Sequence, residues 1–520
     1  MPQHPVIIPA PRSLEWGDGS FALPAQPAVY IEGFNSEEQS RLTRTSSFFR
    51  TISLVDSRQA AHLVVARDPA IANSEGYTLT CSADGVTVAA SSADGAFYGL
   101  QTLRQLLPTA AFDSRGVEGA DVPYCAIEDE PAFAWRGALL DVARHFFSKR
   151  YVLSYIDALA MHKINRLQLH LTDDQGWRVE SKEFPLLNTI GAVRARTQVK
   201  SWLKVRIYEN APHGGQFSQA DIREMVAYAS DRGITIVPEV ELPGHSTALL
   251  ASYPEFGSAP GKRIVAEGWG NFDSMISPLP AVEQKLQRLL TEILELFPGP
   301  WIHLGGDETL IEVWSRNEEI TNYMRAQGLS SVEELFSQFM TRLSDWLSSQ
   351  GRILVSWDEA FVNDEGRAAP GVVMAWRGMD IARSAAAANF PVILAPIDST
   401  YFDFAQSDEP GERWATEGPT TIQKVAEFNP NPSEWTREER DQIIGVQFQV
   451  WTELIRSEEH ADYMTWPRGV ALAEVAWAGA PADWSELRAR LDGHLPRLDA
   501  MGIRYRPLEG PKPWQLEPVE

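Results

Sequence analysis

Two hydrophobic patterns divide the chain. Up to about residue 125, apolar positions come in short β-type runs at 29–31, 63–66, 77–82 and 86–90. The last two flank Ala83-Asp84-Gly85, a strong hairpin signal. Residues 92–107 then read as a helix with Phe97, Leu100, Leu103, Leu106 and Leu107 on one face. This describes a small α/β domain without a cluster of chemically active side chains, hence a packing or scaffold domain. Pro123 and the acidic, proline-containing stretch 127–131 mark its end.

From Phe133 the pattern becomes strand, then amphipathic helix, repeated. Strands are expected at 137–142, 166–171, 234–240, 301–304, 352–357, 372–376, 392–395 and 444–450. Between them, helical spacing runs through 151–161, through a helix opened by Ser218 and Asp221 and stopped by Gly233, and through 282–297 and 332–347. Eight such strands predict a parallel (β/α)8 TIM-type barrel. An open doubly wound sheet fits less well, because no glycine-rich phosphate turn follows the first strand. The expected organisation is an accessory domain over 1–127, a barrel over 128–510 and a tail over 511–520.

The polar residues agree with a barrel. Arg144, Asp173, Glu241, Asp307, Asp358, Arg377, Tyr401 and Glu453 all fall at or just past predicted strand ends. In a barrel those ends converge on the face where active sites are built. The stretch Trp301-Ile302-His303-Leu304-Gly305-Gly306-Asp307-Glu308 stands out, because two glycines break a strand just before two adjacent carboxylates. Such a pair suits acid–base chemistry if its surroundings push the two pKa values apart. It also suits a plain helix N-terminus.

Composition narrows the class further. The 520 residues, 44% hydrophobic and 22% charged, can build a large core and more than one domain. A formal net charge of −24 argues against nucleic acid or an anionic membrane as partner. No apolar run approaches bilayer-spanning length. The N-terminus lacks the basic start and apolar stretch of a signal peptide, which favours a cytoplasmic location; a leader already removed would leave periplasmic or secreted origins open. Cys81 and Cys125 make neither a disulfide framework nor a metal cluster, and a single bond between them stays open. Seventeen tryptophans suit sugar stacking and core packing alike. Neither His-x-His nor His-Glu-x-x-His spacing occurs, so no metal and no cofactor is expected.

Several motifs occur in one order: Arg144-His145-Phe146, His170-Leu171-Thr172-Asp173-Asp174-Gln175-Gly176-Trp177, Pro238-Glu239-Val240-Glu241-Leu242-Pro243-Gly244-His245, and His303-Leu304-Gly305-Gly306-Asp307-Glu308. Together with Trp357, Trp376, Tyr401-Phe402-Asp403 and Trp451-Thr452-Glu453, this set resembles the family-20 glycoside hydrolases, the β-N-acetylhexosaminidases. The stretch Gly95-Ala96-Phe97-Tyr98-Gly99-Leu100 resembles the end of that family's accessory domain, so the similarity covers nearly the whole chain.

The resemblance implies exo-acting, retaining hydrolysis of terminal GlcNAc or GalNAc, in which the substrate's own acetamido oxygen attacks the anomeric carbon and forms an oxazolinium intermediate. By similarity Glu308 is the acid and then the base, Asp307 holds the acetamido N–H, and Tyr401 aligns the acetamido oxygen. Trp357, Trp376 and Trp451 wall the sugar, while Arg144, Asp403 and Glu453 bind its distal hydroxyls. Asp173 and His245 form a hydrogen-bonded pair that tunes Glu308. Glu241 departs from the family pattern, which has Asp there, and its extra methylene bears on where His245 sits. Trp414 is a candidate aglycone platform. The expected partner is a carbohydrate; oligomeric state and the natural glycan are not legible. Three alternatives remain: a disaccharide-releasing relative, a non-catalytic sugar-binding protein on the same fold, and a two-carboxylate β-glycosidase using Asp358 or Glu453 as nucleophile.

Overall fold

The structure is a computed structural model that describes residues 4–200, 206–360, 371–413 and 415–515. Trp414, the suggested aglycone platform, lies outside the described residues.

The N-terminal part is one twisted sheet, in spatial order Ser13–Leu23, Ala120–Asp129, Tyr77–Ser82, Gly85–Ala90, Leu63–Arg67, Ala28–Glu32 and Ser53–Leu54. The expected hairpin is present, with Cys81 opposite Val86 and Ser82 opposite Gly85. Helix Ala93–Leu106 starts at a Ser92 cap and lays its apolar face on the sheet, burying Phe97, Leu100 and Leu103. Two strands fall outside the expected set. Ser13–Leu23 is the sheet edge and mostly exposed, and Ala120–Asp129 runs through residues that read as a boundary. Cys81 and Cys125 are paired across neighbouring strands as buried free thiols, and burial pushes them up to about 12 and about 11 respectively.

The barrel strands are β1 Trp135–Asp141, β2 Arg166–Asp173, β3 Thr235–Val240, β4 Trp301–His303, β5 Ile353–Trp357, β6 Val372–Ala375, β7 Val392–Leu394 and β8 Ile443–Val450. Each pairs in parallel with the next, and β8 returns to β1 through Gly445↔Trp135 to Val450↔Leu140, closing the barrel. These are the eight strands read from the hydrophobic runs. Strands covered on both faces read as continuous apolar stretches, and β1 is buried at every position.

The barrel interior carries a polar column as well as packed side chains. Trp135 donates its indole N–H to Gln447 Oε1 at 3.1 Å, Gln447 Nε2 donates to Gln168 Oε1 at 2.7 Å, and Gln168 Nε2 donates to Glu239 Oε2 at 2.8 Å. Gly137 leaves room for this chain, since a Cβ there would sit 2.2 Å from Gln447 Oε1. The column ends at the carboxylates beneath the C-terminal face, so satisfied core hydrogen bonds support the site from below.

The two parts share a buried polar joint. Lys163 Nζ, fully buried, donates to Asp129 Oδ2 at 2.9 Å and to the Tyr77 hydroxyl at 2.9 Å. Trp477 donates its indole N–H to the other Asp129 oxygen at 2.8 Å. Nearby, the buried Arg136 guanidinium meets Glu75 at 2.8 Å. Removing one partner from such a cluster strands an unpaired charge, so the accessory sheet is tied into the barrel.

Candidate active site

The sequence-singled site residues among those described lie at the C-terminal ends of barrel strands. Arg144 follows β1, Asp173 ends β2, and His245 lies on the loop after β3. Asp307 and Glu308 follow β4, Trp357 ends β5, Trp376 follows β6, Tyr401 and Asp403 follow β7, and Trp451 and Glu453 follow β8. The chain reaches Asp307 through Gly305 and Gly306 at φ +65° and +98°, and a Cβ on Gly305 would stand 1.7 Å from Glu241 Oε2. That position requires glycine twice over, for its backbone and for the side chain beneath it. Glu308 (φ +48°) and His245 (φ +46°) are also left-handed, two of four non-glycine residues so placed among those described. Left-handed non-glycine residues persist only where their surroundings hold them, and they gather at functional sites.

These ends enclose a cavity of about 250 Å³ lined by Arg144, His245, Asp307, Glu308, Trp376, Tyr401, Asp403, Trp451 and Glu453, together with residues not foreseen, among them Gln175, Trp269 and Asn271. Ligand cavities run from about 300 to 1,000 Å³, so this one suits a single sugar rather than a stretch of chain. Trp376 and Tyr401 stand nearly parallel, with ring centres 6.2 Å apart and planes 26° apart. Trp357 differs from expectation, being absent from the cavity lining. Its ring is packed 5.8 Å behind Trp451, and its indole N–H turns into the barrel to Glu239 Oε1 at 3.0 Å. An inward acceptor fixed it as support for the wall.

The charged groups form one connected chain. Arg144 reaches Asp173 Oδ2 at 2.8 Å, Asp141 at 3.3 Å and Glu453 at 3.8 Å. Arg144 thus makes these ion pairs and lines the cavity at the same time. His245 Nδ1 lies 3.3 Å from Asp173 and 3.2 Å from Asp174, while its Nε2 faces Glu308 at 3.5 Å and Asp307 at 3.9 Å. Burial works against a charge on His245, but the Asp173 charge and its hydrogen bonds to Asp173, Asp174 and Glu308 hold it well above the usual imidazole range. Its hydrogen bond holds the Glu308 carboxyl below the ordinary value. Burial pushes Asp307 up, with His245 opposing and the Glu308 charge adding to the rise. Two adjacent carboxyls are therefore driven apart by their surroundings.

Deeper in the cavity, burial and the neighbouring Glu453 push Asp403 up to about 7. Glu241 is buried, and both its oxygens lack a hydrogen-bond partner among the described residues. Burial, then the Asp307 and Glu239 charges, raise it well above the carboxylate range. Its longer side chain ends beneath Gly305 rather than at His245. Asp307 Oδ1, Asp403 Oδ1 and Glu453 Oε2 are likewise buried without partners among the described residues. Unmet acceptors concentrated around one cavity call for N–H and O–H donors from a ligand.

Two clusters could be taken for metal ligands, His170–Glu239–Glu241 and Asp173–Asp174–His245. The imidazoles argue otherwise. His170 sits between Glu239 Oε2 at 2.7 Å and Asp173 Oδ2 at 2.9 Å; burial opposes its charge, yet the carboxylates raise it to about 10. Both its ring nitrogens already face carboxylates, as does Nδ1 of His245.

Two further residues position the wall. Asp358 is buried, accepts the backbone N–H groups of Trp376 and Arg377 at 2.9 and 3.1 Å, and pairs with the Arg377 guanidinium. Glu359 accepts the Trp376 indole N–H at 2.9 Å.

Residues 133–480 match the family model "Glycosyl hydrolase family 20, catalytic domain", and residues 4–130 match "Glycosyl hydrolase family 20, domain 2". A β-hexosaminidase of Porphyromonas gingivalis is 34% identical over 512 residues, covering 96% of this chain, which spans 64% of that protein's length. A β-hexosaminidase of Akkermansia muciniphila is 29% identical, with 91% of this chain and 92% of that one aligned. Among solved structures, the exo-β-N-acetylglucosaminidase of Vibrio harveyi in complex with N-acetylglucosamine superposes with a TM-score of 0.83 at 30% identity, covering 98% of this chain and 80% of that one.

Proposed function

The chain belongs to glycosyl hydrolase family 20, and from that premise we propose that it is an exo-acting, retaining β-N-acetylhexosaminidase. It releases a terminal β-linked N-acetylhexosamine from the non-reducing end of a glycan or glycoconjugate, with the substrate's acetamido group as nucleophile. The observation that carries this reading is the set of buried oxygens on Asp307, Asp403 and Glu453, without partners among the described residues, around one small cavity. The acetamido N–H and the sugar hydroxyls are donors of the required kind, and a site built for them penalises a ligand that lacks them.

In the proposed reaction Tyr401 donates to the acetamido oxygen and aligns it below the anomeric carbon. Glu308 gives its proton to the leaving oxygen as the C1–O bond breaks and the acetamido oxygen bonds to C1. The resulting oxazolinium carries a positive charge beside Asp307, which accepts its N–H. Glu308 then takes a proton from water, the water oxygen attacks C1, and the ring opens back to the acetamide. Two inversions return the β configuration.

Substrate moves both carboxyls in the required direction. A sugar covering Glu308, whose side chain is 40% exposed, removes its water and raises it. The N–H donated to Asp307 lowers that group. His245, held charged by Asp173, donates to Glu308 and so tunes its acidity. Arg144, Asp403 and Glu453 recognise the distal hydroxyls, Trp376 and Trp451 stack on the sugar, and Trp357 backs Trp451. The accessory domain serves as a packing partner of the barrel.

A two-carboxylate mechanism through Asp358 is disfavoured because both its oxygens are engaged by Trp376 and Arg377. The test is the anomer first formed from an aryl N-acetyl-β-glucosaminide, followed by proton NMR. Initial release of the β anomer supports the reading; initial release of the α anomer rejects it.

A further inference from the structure

Trp376 is only half-buried, unlike Tyr401 and Trp451 on the same cavity wall. Its backbone is tied down, with the N–H donating to Asp358 Oδ2 at 2.9 Å and the carbonyl accepting the Ile397 N–H at 2.8 Å. The ring needs its own tether. The indole N–H donates to Glu359 Oε2 at 2.9 Å, and the ring faces Tyr401 with centres 6.2 Å apart. Glu359 offers a fixed point because it sits in the short turn Asp358–Ala360 directly after β5, between the buried Asp358 and Ala360. No cation draws its carboxyl away, since the Arg377 guanidinium is committed to Asp358 and leaves its Nε 3.9 Å from Glu359 Oε2.

The N-acyl group of the substrate is directed at this wall. A secondary amide is planar and trans, so its N–H and C=O point to opposite edges and the acyl methyl points away from the sugar ring. In the proposed reaction Asp307 takes one edge and Tyr401 the other. Trp376 stacks on Tyr401, and its anchor lies within electrostatic reach of Asp307: burial, then the Asp307 and Asp358 charges, push Glu359 up to about 8. The groups at both edges of the amide are thus linked to one indole and one carboxyl. A ring pinned by its N–H cannot swing aside for a longer acyl chain without losing that bond.

We propose that Glu359 is a specificity-determining residue that acts through Trp376: its hold on the indole sets the depth of the N-acyl pocket, so that the enzyme takes N-acetyl sugars and rejects those with longer acyl chains. This rests on the proposed reaction, and the test separates the two. Wild type, Glu359→Gln, Glu359→Leu and Glu359→Asp are assayed near neutral pH on aryl β-glucosaminides carrying an N-acetyl or an N-butanoyl group. Gln keeps an uncharged acceptor at the same reach, Leu removes it, and Asp withdraws it by one methylene. Wild type should prefer the acetyl sugar by at least about tenfold, the scale of a methylene in an apolar pocket. Leu and Asp should each lower the acetyl-over-butanoyl ratio of kcat/KM by about tenfold, the size of one buried hydrogen bond, while Gln holds it near wild type. A purely structural role would lower both rates together and leave the ratio alone. An unchanged ratio in the Leu and Asp variants therefore overturns the inference, with Asp deciding should Leu fail to fold. A Gln ratio as low as that of Leu overturns it too. A wild type that needs the acyl group but takes both chain lengths equally overturns it and leaves the proposed reaction standing. A wild type that cleaves an aryl β-glucoside as fast as the acetamido sugar overturns both.

Discussion

Replacing Asp307 by Asn keeps the shape of the side chain and removes its charge. In the proposed reaction that charge faces an oxazolinium. Asp307 is partly open, its side chain 16% exposed, and already sits 3.9 Å from one cation, His245 Nε2. Two unit charges about 4 Å apart attract by about 4 kcal/mol at an effective dielectric of about 20, the value suited to such a site. At about 1.4 kcal/mol per decade this is a fall of about a thousandfold in kcat. The pH profile should change as well. Burial pushes Asp307 up, and the reaction needs it ionised, so kcat/KM is present above its pKa and lost as pH falls through it. In the Asn variant that acid limb should vanish. Thermal stability should not drop, because a buried carboxyl crowded by Glu308 and Glu239 is removed. The assay is kcat and kcat/KM for an aryl N-acetyl-β-glucosaminide across pH, with a melting curve for each protein. A loss below tenfold, or an acid limb that survives, refutes the reasoning.

Glu308→Gln should lower kcat/KM by about 10²–10⁴, most for alkyl and sugar leaving groups that need a proton; near-normal turnover of an oligosaccharide would remove Glu308 as the acid. Tyr401→Phe keeps the stack on Trp376 and should cost about ten- to a hundredfold in rate with an unchanged melting temperature; a full-speed variant denies the aligning hydrogen bond. Gly305→Ala must both hold φ +65° and displace the Glu241 carboxyl, a cost of about 2–5 kcal/mol in urea unfolding. Gly351→Ala, at φ +71° with open space around it, should cost only about 1–2 kcal/mol. Equal losses would mean that Glu241 does not constrain the turn.

The barrel was legible because burial on both faces writes its strands as unbroken apolar runs, and because charged groups were confined to strand ends. The accessory sheet was less so. Ser13–Leu23 is mostly exposed and its register shifts between Trp16 and Ser20, which erases the alternation that marks a strand. Ala120–Asp129 contains Pro123, which lies beyond the reach of the Tyr77–Ser82 partner strand, where a missing N–H does no harm. In the site, residues carried by contiguous motifs were found. Trp269 was not, because it sits on a long loop without periodicity, and no local pattern brings it to Gln175. Trp357 shows the remaining difficulty, since only the inward acceptor Glu239 decides which way an indole turns.

The most direct test of the central claim is hydrolysis of matched aryl N-acetyl-β-glucosaminide and aryl β-glucoside by the purified protein, with chelator present throughout. The account predicts cleavage of the acetamido sugar at least a thousandfold faster (about 4 kcal/mol in barrier), undiminished by chelator, because the nucleophile belongs to the substrate. Comparable rates on the two sugars would contradict it and return the nucleophile to a protein carboxylate.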